Sequence, residues 1–361
     1  MRRNARIVDL LCCLALVVSL SMTVGASERE DMGYFTLKDA QGNIITMTGR
    51  ELDPGDQYIA ADNRLYEVEK TVGDIVYVNY VDTVELPEIS KELLGAQSAG
   101  AKSSGGVVGI YHTHNSESYV PTSGTEAKND GQGDVLQVGK ALASGLEKAG
   151  VTAYWSWNSH LPHDGQAYLR SRRTAMELLQ KGPDTLIDVH RDATPPEVYA
   201  TEIEGVPTTK VRIVVGRQNQ NRAANLEYAK RIKAVGDELF PGIIEGIFDA
   251  RGNYNQDLGP KMILLEFGAH TNPLKQAEQA AEFFAKVIPA AAGLTASERA
   301  GAQRQIGGAA GRSLLWLLAI VAIAGLGFLY IDQGKIGSLV GFFRKEAGLA
   351  EGDHDDPDGE Q

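Results

Sequence analysis

Between about residues 107 and 292 the chain alternates short apolar runs with stretches whose apolar residues recur every three or four positions. Val107–Tyr111, Val151–Trp155, Thr185–Val189, Val211–Gly216 and Met262–Phe267 have the length and β-branched content of buried strands. Between them, Val135, Val138, Leu142 and Leu146 fall on one helical face, and Leu226, Ala229, Ile232 and Val235 fall on another. Leu274, Ala277, Phe284 and Ile288 make a third. Strands separated by such helices predict an α/β fold, a mostly parallel sheet flanked by helices. In an open sheet of this kind, binding and chemistry gather at the carboxyl ends of the strands. The motifs should therefore sit there.

The flanks predict the rest of the organisation. Residues 33–90 alternate apolar and polar positions around turns such as Asp39-Ala40-Gln41-Gly42-Asn43, which reads as a small β-rich domain without a catalytic constellation. Residues 91–106 and 293–312 are rich in Gly, Ala, Ser and Gln and read as linkers. Arg2, Arg3 and Arg6 precede an apolar stretch ending near Val24-Gly25-Ala26, the pattern of a signal peptide over residues 1–26, with an N-terminal anchor as the competing reading. Both cysteines, Cys12 and Cys13, lie inside it, so cleavage would leave neither disulfide nor thiol nucleophile. Residues 313–331 carry no charge and are long enough for a transmembrane helix. Lys335, Arg344 and Lys345 follow, which expects an acidic cytoplasmic tail at 332–361 and the bulk of the chain outside the cell membrane. The net charge of −12 speaks against nucleic acid as a partner, because no basic stripe exists to neutralise phosphates.

Three of the predicted strands end in residues that bind metals. Tyr111-His112-Thr113-His114-Asn115-Ser116-Glu117 follows the first, His190-Arg191-Asp192 the third, and Glu266-Phe267-Gly268 closes the last. A lone histidine is more often a packing or surface residue, and Arg191 with Asp192 would suit an ordinary surface ion pair. Imidazoles and carboxylates converging without cysteine suit a catalytic zinc better than a structural one. A carboxylate closing an apolar strand is costly unless it is paired or bound to a cation.

Four separated motifs also resemble one known family. Tyr111-His112-Thr113-His114 with Glu117-Ser118, His163-Asp164 followed by Tyr168, Ser171, Arg172 and Thr174, Asp188-Val189-His190-Arg191-Asp192, and Gly252-Asn253-Tyr254-Asn255-Gln256-Asp257-Leu258 followed by Leu264-Leu265-Glu266-Phe267-Gly268 resemble the stage II sporulation protein P family. The resemblance covers the whole α/β region. It implies a zinc N-acetylmuramoyl-L-alanine amidase fold and peptidoglycan hydrolysis, including cross-link cleavage, during sporulation engulfment. Peptidoglycan, the cytoplasmic membrane and stage II sporulation proteins D and M are the implied partners. A C-terminal membrane segment departs from the family's usual N-terminal attachment. The ligand glutamate that zinc amidases carry at the start of the following helix also has no match here, since Gly131 falls near that place, among Glu126, Asp130 and Asp134.

On these grounds His114, Glu117 and His190 are the expected zinc ligands. His112 is the alternative, as ligand or as support behind one, and His163 and Glu126 are weaker rivals. Glu266 is the expected general base. Arg191, Arg251, Tyr254, Asn255 and Gln256 are candidates for holding the peptide stem or sugar, with a plain turn as the plainer account of residues 252–257. A catalytically inactive wall-binding or scaffolding module is the competing function. A metal-independent hydrolase is disfavoured because the chain has no G-x-S-x-G elbow.

Overall fold

The computed structural model describes residues 29, 31, 33–98 and 105–294. The expected signal segment, the membrane helix at 313–331, the tail at 332–361 and the second linker beyond Leu294 lie outside the described residues. Among those described, no helix is long and apolar enough to cross a membrane.

The five apolar runs form strands β6 (Val107–Tyr111), β7 (Thr152–Trp155), β8 (Thr185–Asp192), β11 (Val211–Gly216) and β13 (Met262–Ala269), and a strand not expected from the sequence, β12 (Ile244–Ala250), joins them. The N-terminal segment adds β1 (Phe35–Lys38), β2 (Ile44–Thr48), β3 (Gln57–Ala60), β4 (Arg64–Val72) and β5 (Ile75–Thr83). All of these join one sheet in the order β2-β1-β5-β4-β3-β12-β11-β13-β8-β6-β7, while β9 (Ala200–Ile203) and β10 (Val206–Thr209) make a separate hairpin. The helices are α1 (Lys91–Ser98), the one-turn α2 (Val120–Ser123), α3 (Val135–Lys148), α4 (Ala167–Leu179), α5 (Arg222–Leu239) and α6 (Leu274–Ala292).

The predicted faces are the packed ones. Val135, Val138, Leu142 and Leu146 of α3, Ala229, Ile232 and Val235 of α5, and Ala277, Phe284 and Ile288 of α6 share one core with Ile110, Ile187, Ile213 and Leu265 of the sheet. Helix α4 presents Ala175 and Leu178 to a smaller cluster with Tyr111, Leu186 and Met262.

The expected largely parallel sheet is present: β13, β8, β6 and β7 run parallel, as do β11 and β12, while β11 lies antiparallel to β13, and β3 antiparallel to both β12 and β4, which makes the whole sheet mixed. Two expectations need correction. The β-rich segment is not a separate small domain. Its β3 pairs with β12 through Ile59↔Ile247 and Tyr58↔Phe248, and the Tyr58 and Phe248 rings pack at 4.8 Å. The linker assigned from residue 91 begins with α1, whose Leu93 is buried in the main core. Strand pairing and helix docking decide these boundaries, and composition carries neither.

The parallel half positions the site. In register, Tyr111 of β6 faces Asp188 of β8, and His190 of β8 faces Glu266 of β13. Three strand ends therefore deliver their residues to one edge.

Candidate metal centre

The loop that leaves β6 is pinned before it supplies any ligand. Glu117 N–H donates to the His114 carbonyl at 3.1 Å, closing a turn that brings both side chains to one side. The amides of Gly133 and Val135 bond back to the Asn115 and Glu117 carbonyls, each at 3.0 Å. A side chain at Gly133 would run into the Glu117 carbonyl, so the start of α3 lies directly on this loop.

His114 Nδ1 lies 3.4 Å and His190 Nδ1 3.3 Å from the same Glu117 oxygen, Oε1. One donor atom from each of the three residues lies within 4.8 Å of the others, and all three side chains are buried. Tetrahedral zinc with ligands at 2.0–2.2 Å places neighbouring donors about 3.3–3.6 Å apart. Both distances to Glu117 fit, and two imidazoles with one carboxylate form a set that could hold a metal ion.

The surroundings hold each donor in place. His190 Nε2 lies 3.1 Å from Asp188 Oδ1, so Nδ1 faces Glu117 while the opposite nitrogen faces a carboxylate, the arrangement that orients metal-binding histidines. Asp188 is itself fixed by the Thr113 amide at 2.8 Å and the Thr113 hydroxyl at 2.6 Å. Burial works against charge on His190, but the Asp188 and Glu117 carboxylates outweigh it and hold its pKa well above the ordinary histidine value. Burial likewise opposes ionisation of Glu117, and His190, Arg191 and His114 reverse it, keeping the carboxyl well below its usual range. Glu117 is thus an anion paired with a protonated His190 at neutral pH, and a cation bound here would displace that proton.

His112 is a structural residue. Its Nδ1 bonds the Val189 carbonyl at 3.0 Å, and its Nε2 accepts the Trp155 indole N–H at 3.1 Å. Both ring nitrogens are engaged, and burial pushes its pKa down to about 4, so the ring is neutral. Of the rivals, His163 stacks on His114 with ring centroids 4.2 Å apart and bonds Ser116 through Nδ1 at 2.8 Å. Glu126 is exposed and takes part through its backbone, whose carbonyl accepts from Ser118 and Arg191. Neither belongs to the donor group.

Most of the proposed substrate residues face inward instead. Buried Arg191 donates its amide to Glu117 Oε2 at 3.0 Å and its guanidinium to the Glu126 carbonyl at 3.1 Å, so it supports a ligand. Arg251 pairs with Asp53 at 2.6 Å. The Tyr254 hydroxyl donates to the Arg251 carbonyl at 2.7 Å, and Asn255 donates to the Tyr168 carbonyl at 3.0 Å. Gln256 ties the Gly216 amide to the Val214 carbonyl, each at 2.9 Å. These residues fasten a loop to the sheet because a buried turn must satisfy its polar groups internally.

Glu266 is buried, and its Oε1 accepts from Arg50 Nη2 at 2.8 Å. Arg50 also donates to the Tyr254 hydroxyl at 2.8 Å. No sequence signal marked Arg50, which lies in the segment read as free of chemistry and 216 positions from its partner. As cross-strand neighbours, His190 and Glu266 project from the same face of the sheet about 5 Å apart.

Residues 51–289 match the family model described as Stage II sporulation protein P (SpoIIP). The stage II sporulation protein P of Bacillus subtilis (strain 168) is 32% identical over 200 residues, and the match spans 50% of this chain and 50% of that protein. Among solved structures, the N-acetylmuramyl-L-alanine amidase Ami1 from Mycobacterium smegmatis aligns at 15% identity and a TM-score of 0.37, over 53% of this chain and 99% of its own. The CwlD amidase from Clostridioides difficile, solved in complex with the GerS lipoprotein, aligns at 10% identity and a TM-score of 0.36, over 51% of this chain and 98% of its own.

Proposed function

We propose, from the premise that this chain belongs to the stage II sporulation protein P family, that it is a zinc-dependent peptidoglycan hydrolase of the N-acetylmuramoyl-L-alanine amidase type. The observation that carries the reading is the meeting of His114 Nδ1 and His190 Nδ1 on one oxygen of Glu117, at 3.4 and 3.3 Å. His114, Glu117 and His190 would hold the ion. When bound, zinc brings the pKa of water down to about 7 and polarises the amide carbonyl.

The chain's own residues supply the rest. Asp188 fixes the tautomer and orientation of His190. Arg191 secures the second oxygen of Glu117. Glu266 serves as the base that accepts the attacking water's proton and returns it to the leaving amine, while Arg50 holds the carboxylate in position. Cross-link cleavage would use the same groups on a second amide. Activity belongs, in this reading, to the outer side of the cell membrane in a sporulating cell, with stage II sporulation proteins D and M as partners.

The test uses the full-length protein on purified peptidoglycan, with and without chelator, with zinc restored, and with Glu266→Gln. Stem peptides identified by mass should appear only with zinc. Glu266→Gln should lower the rate by about 10²–10⁴-fold, the usual worth of a positioned base, with zinc content intact. The buried Arg50–Glu266 pair also favours a second reading, a wall-binding scaffold in which Glu266 is only structural. Stoichiometric zinc without cleavage would select that reading, and neither zinc nor cleavage would reject the metal site itself.

A further inference from the structure

Two tryptophans stand beside the metal-site loop with no evident part in its chemistry. Trp157 is 62% exposed, and its ring lies 5.3 Å from that of Trp155 at an interplanar angle of 59°. With Gln132, Leu136, Gln137 and Lys140 they line a cleft of about 380 Å³, within the size range of small-molecule sites. An indole left in solvent adds nothing to the core, and a concave aromatic surface edged by amides is a common form of recognition site.

The cleft is built onto the metal-site segment. The Trp155 indole N–H donates to His112, two residues before His114, which fixes the tilt of one wall. The other wall approaches because Gly139 of α3 has no side chain, and a Cβ there would collide with the His112 ring. Gln132 lies between two glycines packed against the same segment. A Cβ at Gly131 would come within 2.6 Å of the Asn115 amide, and one at Gly133 would strike the Glu117 carbonyl. A ligand in the cleft therefore sits next to the loop that carries His114 and Glu117.

We infer that the Trp155–Trp157 cleft binds an aminosugar of the glycan strand, an inference that rests on the amidase reading for its substrate. The scissile amide of such a substrate hangs from a sugar, so an enzyme that cuts there benefits from gripping the ring nearby. Pyranose rings present a face of C–H groups that stacks on indole and a rim of hydroxyl and acetamido groups. Gln132 and Gln137 offer both donors and acceptors for that rim. A stem peptide, which carries several carboxylates, would call for more cations than the single Lys140 found here.

The experiment measures saccharide binding separately from catalysis. Peptide-free glycan strands and the β-1,4-linked tetrasaccharide of N-acetylglucosamine are titrated into the full-length protein, followed by calorimetry and tryptophan fluorescence. Saturable binding should persist after zinc is chelated. Trp157→Ala should weaken it about tenfold, the scale of one lost aromatic stacking partner, and Trp157→Phe should largely restore it. On intact peptidoglycan the alanine variant should raise KM while kcat and zinc content stay close to wild type. Absence of saccharide binding, or equal binding by wild type and Trp157→Ala, would overturn the inference, as would a cleft that takes only stem peptides. Saccharide binding that depends on Trp157 in a protein with no zinc-dependent cleavage would retain the sugar site and reject the amidase.

Discussion

Residues 49–56 and residues 251–257 make opposite impressions as sequence and exchange roles in the folded protein. The second stretch, with Arg251, Tyr254, Asn255 and Gln256, looks like a substrate loop, yet Asn255 and Gln256 bond inward to Tyr168, Val214 and Gly216, and Arg251 pairs with Asp53. The first lies in the β-rich segment read as having no catalytic constellation, yet it sends Arg50 to the buried carboxylate of Glu266. The two stretches also clasp one another, since Asp56 accepts the Arg251 amide at 2.9 Å and Arg50 donates to Tyr254. A side chain's chemical type says what it can do. Its function depends on which partner the fold brings to it, and a buried loop uses up its polar groups on itself.

Removing Arg50 tests that exchange most severely. Breaking one side of a buried ion pair costs about 3–5 kcal/mol because the remaining charge stays desolvated. Arg50→Ala should lose stability on that scale in urea denaturation, and peptidoglycan turnover should fall with it. Arg50→Ala/Glu266→Gln should recover part of the stability, since no full charge is then stranded. In turnover, the double variant should be no slower than Glu266→Gln alone, because Arg50 acts through the carboxylate. A loss below about 1 kcal/mol would place the pair among weak surface bridges and erase the contrast between the two stretches.

How far the sequence could be read follows the same division. Periodicity exposed β6, β8, β11 and β13 and the faces of α3, α5 and α6, because burial on one side imposes a repeat on the residues themselves. His114, Glu117 and His190 were legible because ligand-type residues stood at the ends of strands that run parallel. Strand β12 was passed over because Glu245 and Asp249 interrupt its apolar run. Both acids are buried against arginines distant in sequence, Glu245 with Arg212 at 2.5 Å and Asp249 with Arg222. Helix α4 was hidden by Arg170, Arg172 and Arg173, two of which pair with Asp164 and Asp257. Such pairings are tertiary facts that no local pattern carries.

His112 and His114 repeat the contrast across two positions, and pH separates them. His112 titrates near 4 in the folded protein and near 6.5 when unfolded. Between those values the unfolded chain binds more protons, so stability is lost as pH falls through the window and is unaffected above it. The full effect is about 3 kcal/mol. Denaturation at pH 7 and at pH 4 should show that wild type loses more than His112→Gln by that order, with Glu117 and Asp188 contributing to both proteins alike. The variant should still bind one zinc. If it binds none, His112 belongs to the metal site after all.

The smallest effect is expected where the sequence pointed most directly to substrate. Arg251 and Asp53 form an ion pair whose side chains remain 36% and 45% exposed. Solvent screens such a pair, so Arg251→Ala should cost under about 1 kcal/mol in denaturation. It should also leave KM and kcat on peptidoglycan unchanged, because the guanidinium points to Asp53 and the metal group lies on β8 and the loop after β6. A rise in KM with stability intact would return Arg251 to the substrate and make residues 251–257 a binding loop whose neighbours happen to be buried. An unchanged KM would leave Arg50 as the arginine that matters on this side of the sheet, contributed by the stretch that looked inert.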